Sequence, residues 1–223
     1  MTVSRLSSTA LLLLALLAGC AGGPPPPDWQ LNAHGAIERA QDAYLSGQGP
    51  IEAVEFARAR AEIARTGRVE LLARAELVRC ATRVASLVFE PCAGFDAWQM
   101  DAAAPEQAYA RYLLGQATPQ DAALLPPPHR PFASPDATGA ALASIDDPLS
   151  RLVAAGVLLR SHRADPQTIA LAIDAASSQG WRRPLLAWLG VQAQRAEQSG
   201  DAQAAARIRR RMQLVGGVGR LTP

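Results

Sequence analysis

Apolar positions recur at three- and four-residue spacing along most of this chain, which is the signature of amphipathic helices rather than strands. The first helical stretch begins near Asn32, where Ile37, Ala40 and Tyr44 form one stripe, and Ser46-Gly47-Gln48-Gly49 breaks it. Pro50 opens a second stretch carrying Ile51, Val54 and, on an adjoining line, Phe56 and Ile63, closed by Thr66-Gly67. A third and longest stretch carries Leu77, Cys80, Ala81, Val84 and Val88 and ends at Phe89. Three helices joined by two glycine turns predict an antiparallel array.

Residues 90–104 read as a loop pinned by Phe95 and Trp98, followed by a short helix after Pro105 with Tyr109, Tyr112 and Leu113 on its apolar side. Thr118-Pro119-Gln120-Asp121 combines an N-cap, a proline at the first helical position and an acid at the third. The proline-rich stretch 126–135 follows at once and is the expected linker between an N-terminal block, 32–125, and a C-terminal block, 136–215.

The C-terminal block is the more regular. Asp147-Pro148, Asp165-Pro166 and Asp201 are spaced by 18 and 36 residues, with Arg183-Pro184 at the intervening place. An aspartate caps free amides and a proline pre-sets the first turn, so four helices are expected to start in step. Pro148 aligns with Pro184, Leu149 with Leu185, Asp165 with Asp201 and Ala170 with Ala206, giving two copies of a helical hairpin. Leu189, Ala193, Ala196, Gly200-Asp201 and Ala205 make this segment resemble the tetratricopeptide family. Ala40, Tyr44, Gly47 and Ala53 echo the same pattern earlier. The chain departs from the family in its longer repeat and in Arg209, which stands where an aromatic is usual. The resemblance implies stacked helical hairpins that bind a peptide or protein, and an irregular, non-repeating helical bundle is the alternative. Composition agrees with an all-α fold: alanine is abundant and aromatics are 5% of the chain.

The N-terminus is different. Ala10–Ala18 is an uncharged apolar run behind Arg5, too short to span a bilayer and of the size of a secretory signal. It ends in Leu17-Ala18-Gly19-Cys20, which resembles the lipobox of bacterial lipoproteins. That resemblance implies removal of residues 1–19, a diacylglycerol on the Cys20 sulfur and a further acyl chain on its amino group. Multiple acyl chains are what stable anchoring needs. Ala21, where an aspartate would favour the inner membrane, implies the periplasm-facing outer membrane of a Gram-negative-type cell. Residues 20–31, with Pro24–Pro27, then form a polyproline tether, and 216–223 a tail.

Charge excludes one class of partner. The chain has 22 basic residues, all arginine, against 20 acidic ones. Such a balance lacks the concentrated basic surface of a nucleic-acid binder. Uniform use of arginine reads as a coding bias, which lowers the weight of any single arginine. Arg207, Arg209, Arg210 and Arg211 are the densest charge, and Arg207, Arg210 and Arg211 form the candidate basic contact patch for head-group phosphates or an acidic partner. A helix C-terminus attracting cations is the plainer account.

Of the three cysteines, Cys20 is assigned to lipid, and Cys80 and Cys92 are the candidate disulfide in an oxidising compartment. Such a loop contributes about 3 kcal/mol in the chain-entropy model. His34, His129 and His162 are scattered, no ligand spacing for a metal occurs, and no catalytic or phosphate-binding motif is present. Glu52, Glu55 and Glu62 read as a solvated face paired with Arg58, Arg60 and Arg65. The expectation is a non-enzymatic, cofactor-free scaffold anchored to the membrane by lipid and partnered by another envelope protein. A cell-wall-directed hydrolase or its activator, and a structural spacer, are the alternatives.

Overall fold

The computed structural model describes residues 25–217, and among these the chain is all-α, with no strand. The lipobox, Cys20 and most of the tail lie outside the described residues. Three helices come first: α1 (Asp28–Leu45), α2 (Gly49–Ala64) and α3 (Val69–Ala85). Gly47 and Gly67 take the left-handed conformation at the two turns, with φ of 84° and 67°, a region that glycine enters without steric cost. Helix α1 begins at Asp28, so the last residues of the expected tether, 28–31, are helical.

Only part of the apolar face expected for α2 is buried, the line through Phe56 and Ile63. Ile51 and Val54 are about half exposed, and the buried residues are Glu52, Phe56, Ala59 and Ile63. Glu52 is a core residue, contrary to its reading as part of a solvated face. Arg79 Nε and Arg83 Nη2 of α3 donate to its carboxylate at 2.7 and 3.3 Å, and Arg79 also lies over the Phe56 ring. A buried carboxylate is tolerated when charged donors satisfy it. Burial alone would raise the Glu52 carboxyl, but the two arginines outweigh it and hold it below its ordinary value. Glu55 and Glu62 do pair with Arg58 and Arg65, whereas Arg60 reaches Glu76 on α3 at 3.1 Å.

After α3 the chain folds into short pieces: α4 (Ala93–Asp96), α5 (Ala104–Leu113), and 3-10 helices at 99–101, 119–124, 127–133 and 139–144. The expected linker is instead part of the core. Leu125, His129, Phe132 and Ala133 are all at most 3% exposed. Prolines forbid a long helix but permit 3-10 turns, and those turns point their apolar residues inward. Thr118 and Asp121 form the reciprocal capping box that their spacing predicts. Arg163 then holds the stretch in place, donating to the Ser134 carbonyl at 2.7 Å.

The last four helices, α6 (Pro148–Arg160), α7 (Pro166–Ser178), α8 (Arg182–Gln198) and α9 (Ala202–Gly216), each pack against the next. Asp147, Asp165 and Asp201 accept hydrogen bonds from the amides of Ser150, Thr168 and Ala204, as capping aspartates should. Helix α3 is the hub of the molecule, packing against α1, α2, α4, α5 and α6. Its approach to α6 is close because Gly156 faces it: a Cβ there would lie 2.4 Å from the Val84 carbonyl oxygen. Trp188 of α8, with no exposed surface, donates its indole N–H to the Ala85 carbonyl at 3.1 Å. Helix α3 therefore lies along α6 and meets α8 through Trp188. Arg183 of α8 completes the closure, donating to the Tyr44 carbonyl at 2.7 Å and lying over the Tyr44 ring.

Candidate functional site

The surface of α3 not covered by α6 and α8 carries a groove. Two cavities of about 530 and 460 Å³ share Arg74 and Val78. The first lies between α1 and α3, with Trp29, Ala33, Ile37, Ile63, Leu71 and Ala75 as its apolar lining. His34, Glu38, Arg68 and Gln41 supply its polar positions. The second lies between α3, α5 and the 3-10 turns, with Leu77, Tyr109, Leu124, Leu125 and Pro126 as walls and Glu106, Arg130 and Ser150 as polar groups. Helical spacing places this groove: Leu71, Arg74 and Val78 recur at three and four residues and so share one face of α3.

Arg74 stands at the junction of the two cavities. Its side chain is 63% exposed, and its Nε and Nη2 both donate to one oxygen of Glu106, Oε1, at 2.8 and 2.6 Å. Glu106 occupies the first turn of α5 and is 5% exposed. Its other oxygen, Oε2, is buried and accepts no hydrogen bond from any described residue.

A ring cluster borders the second cavity, with Tyr109 and His129 in its lining and Tyr112 fully buried. Tyr112 Oη and His129 Nδ1 are 3.0 Å apart, and Tyr109 packs against both rings. Burial lowers the His129 imidazole to about 4, partly opposed by the field of Asp147, and burial raises both tyrosine hydroxyls. Neutral groups sealed together in this way make a structural contact.

The two candidate disulfide cysteines are brought to disulfide distance, with Cα atoms 5.9 Å apart, tying the 86–92 turn back onto α3. A cavity of about 350 Å³ adjoins them, lined by Phe95, Val84 and Leu113. Its arginines are already engaged: Arg83 with Glu52, Arg111 with Asp121, and Arg160 with the Leu113 carbonyl.

The basic patch is exposed on α9. Arg207 and Arg210 form no ion pair among the described residues, Arg209 pairs with Glu197, and Arg211 reaches the Ser177 hydroxyl at 3.3 Å. The helix continues to Gly216, so these arginines lie before its last turn, and attraction to the helix C-terminus does not account for them. Arg183 is turned away from the patch, onto Tyr44.

Among the described residues, no group of three or more histidine, cysteine, aspartate or glutamate side chains is placed to hold a metal ion. None of their helices is long and apolar enough to cross a membrane. The groove was not foreseen in the sequence, because its two sides come from α1 and from the turns after α5. The only local signal is that Leu71, Arg74 and Val78 lie beside, not on, the Leu77-Ala81-Val84 line of α3. No family model, curated protein or solved structure matches this chain.

Proposed function

We propose that this chain is a lipid-anchored cell-envelope protein, held at the periplasmic face of the outer membrane through Cys20, that binds an extended segment of another envelope protein as an assembly scaffold. The groove on α3 carries this reading. It has the apolar walls and few polar groups of a recognition site, and it comprises two cavities that share Arg74 and Val78 rather than one compact pocket. The tetratricopeptide-like pattern of α6–α9 supports a helical scaffold; α3 lies along α6, and the partner is received on the neighbouring, grooved surface of α3. Helix α1, whose Trp29 lines one end of the groove, begins eight residues after Cys20. A partner is thus taken up close to the anchor.

Two experiments test the parts separately. Cys20→Ser should move the protein from the membrane to the soluble periplasmic fraction, and unchanged membrane retention would refute the anchor. Photo-crosslinking residues introduced at Ile37 and Val78 should capture one envelope protein in cells, while the same probe at exposed Ala170 on α7 should not. Equal labelling from all three positions, or none, would refute the groove as the partner site.

A further inference from the structure

We propose that the outer face of α9 rests on the anionic lipid surface of the membrane that anchors the chain, and so fixes which way the tethered domain is turned. The inference rests on the lipid-anchor reading and adds a second membrane contact to it.

Charge on α9 is one-sided. The helix carries four arginines and no acidic residue over its 15 positions. Arg209 is engaged by Glu197, whereas Arg207, Arg210 and Arg211 form no ion pair among the described residues. Arg211 reaches only the Ser177 hydroxyl, and the one acid of α7, Asp174, makes no ion pair with it there. Positions 207, 210, 211 and 214 are spaced by three, four and seven residues and share one face of the helix. That face is exposed and ends in Leu214, which is 73% exposed. The other side carries the buried Ala205, with Ile208 and Met212 packed on the core.

Such a face suits lipid better than a protein partner. Guanidinium groups donate in pairs to phosphate oxygens, and each arginine close to an anionic lipid surface strengthens binding roughly fivefold. The core of a protein interface is apolar and poor in charge. Here a single leucine follows three arginines, and α9 lines none of the cavities described above. A leucine beside cations fits the boundary between head groups and acyl chains.

The anchor brings the face within reach. Gly190 of α8 faces Met212 of α9, so the two helices run antiparallel and Leu214 lies toward the start of α8. There Arg183 holds Tyr44, at the far end of α1. Helix α1 is about 27 Å long, and the eight residues from Cys20 to Asp28 extend to about 25 Å. Three arginines bind weakly alone, but they suffice to orient a chain that acyl groups already hold at the surface. The groove on α3 stays open in that orientation, since α9 shares no residue with it.

The test uses the chain from residue 20 onward carrying Cys20→Ser, which has no acyl group, and phosphatidylcholine vesicles with or without about one third phosphatidylglycerol. In co-sedimentation at low salt it should bind the anionic vesicles at least tenfold more tightly than the neutral ones, and about 0.5 M salt should abolish the difference. Arg207→Gln/Arg210→Gln/Arg211→Gln should weaken that binding at least tenfold. Arg39→Gln/Arg58→Gln/Arg65→Gln removes as much charge from arginines paired with Glu55 and Glu62 and should weaken it less than threefold. An environment-sensitive dye on Leu214→Cys should shift to the blue with anionic vesicles and not with polyglutamate. Equal binding to both vesicles, equal loss in the two triple variants, or a dye that responds to polyglutamate instead of vesicles overturns the proposal. Should the α9 variant misfold, the dye on the otherwise unchanged chain decides. The anchor reading fails separately, when the Cys20→Ser chain carrying the three α9 substitutions still stays on the membrane in cells.

Discussion

Trp188→Ala should cost about 3–5 kcal/mol of folding stability, the range for removing a large aromatic from a packed core. Trp188 is fully buried in the core cluster that residues of α3, α6 and α8 share. Part of that loss comes from the indole N–H, the donor that satisfies the Ala85 carbonyl at the end of α3. Removing it leaves that acceptor buried and unpaired, which accounts for about 1–3 kcal/mol of the total. Trp188→Phe separates the two effects, retaining most of the apolar volume while losing the donor, and should cost about 1–2 kcal/mol. Urea unfolding of the three proteins at one pH measures both. Since domains are stable by only about 5–15 kcal/mol, the alanine variant should be visibly less populated at 37 °C. An alanine variant within about 1 kcal/mol of wild type would mean that α8 is not a fixed part of the core.

Acid should weaken the fold above the range in which carboxylates titrate, and His129 is the reason. Burial holds its imidazole at about 4, against an ordinary 6.5, so the folded protein binds fewer protons than the unfolded chain between those two values. Stability must then fall as pH drops from about 6.5 to about 4 and stop falling on this account below it. A shift of that size corresponds to roughly 3 kcal/mol. Other groups act elsewhere or in the opposite sense. Asp121 is held well below its ordinary value by Arg111 and Thr118, so its stabilisation is lost only as pH falls below about 4. Burial raises the Glu76 carboxyl, with Arg60 opposing, so its contribution is lost as pH rises. His129→Gln isolates the histidine. The variant should be less stable at pH 7, where the Tyr112 contact is disturbed, yet its urea midpoint should change much less between pH 6.5 and 4.5. The same pH slope in both proteins would refute this assignment.

What could be read in the sequence and what could not divide along the range of the forces involved. Asp147, Asp165 and Asp201 announce helix starts because a cap bonds to amides three residues away, and all three caps are present. Gly47 and Gly67 mark turns for an equally local reason. Glu52 could not be read correctly, because the charges that allow its burial come from Arg79 and Arg83 on another helix. Its burial rotates α2 and leaves Ile51 and Val54 facing outward. The proline stretch is a related case. Proline signals the loss of helical hydrogen bonds but is silent on burial, and Leu125 and Phe132 enter the core through turns too short to show a period. Glu106 gives no sign in the sequence that distinguishes it from any acid in a first helical turn. Its pairing with Arg74, 32 residues earlier on α3, exists only in the folded chain.

The position of α3 has a consequence for how the chain comes to be folded. Its apolar faces are completed by α6, which begins at Pro148, and by α8, whose Trp188 closes on Ala85 across 103 residues of sequence. Arg183 reaches Tyr44 over a still longer interval of 139. A chain that emerges from its N-terminus holds α1–α3 with Leu77, Val84 and Ala85 uncovered until most of the remainder has followed. Contacts of such separation slow folding and prolong the exposure of sticky surface. The first three helices share a small core of their own, Ala33, Ala40, Phe56, Ile63, Leu72 and Ala75, but the other side of α3 stays open until α6 and α8 are made.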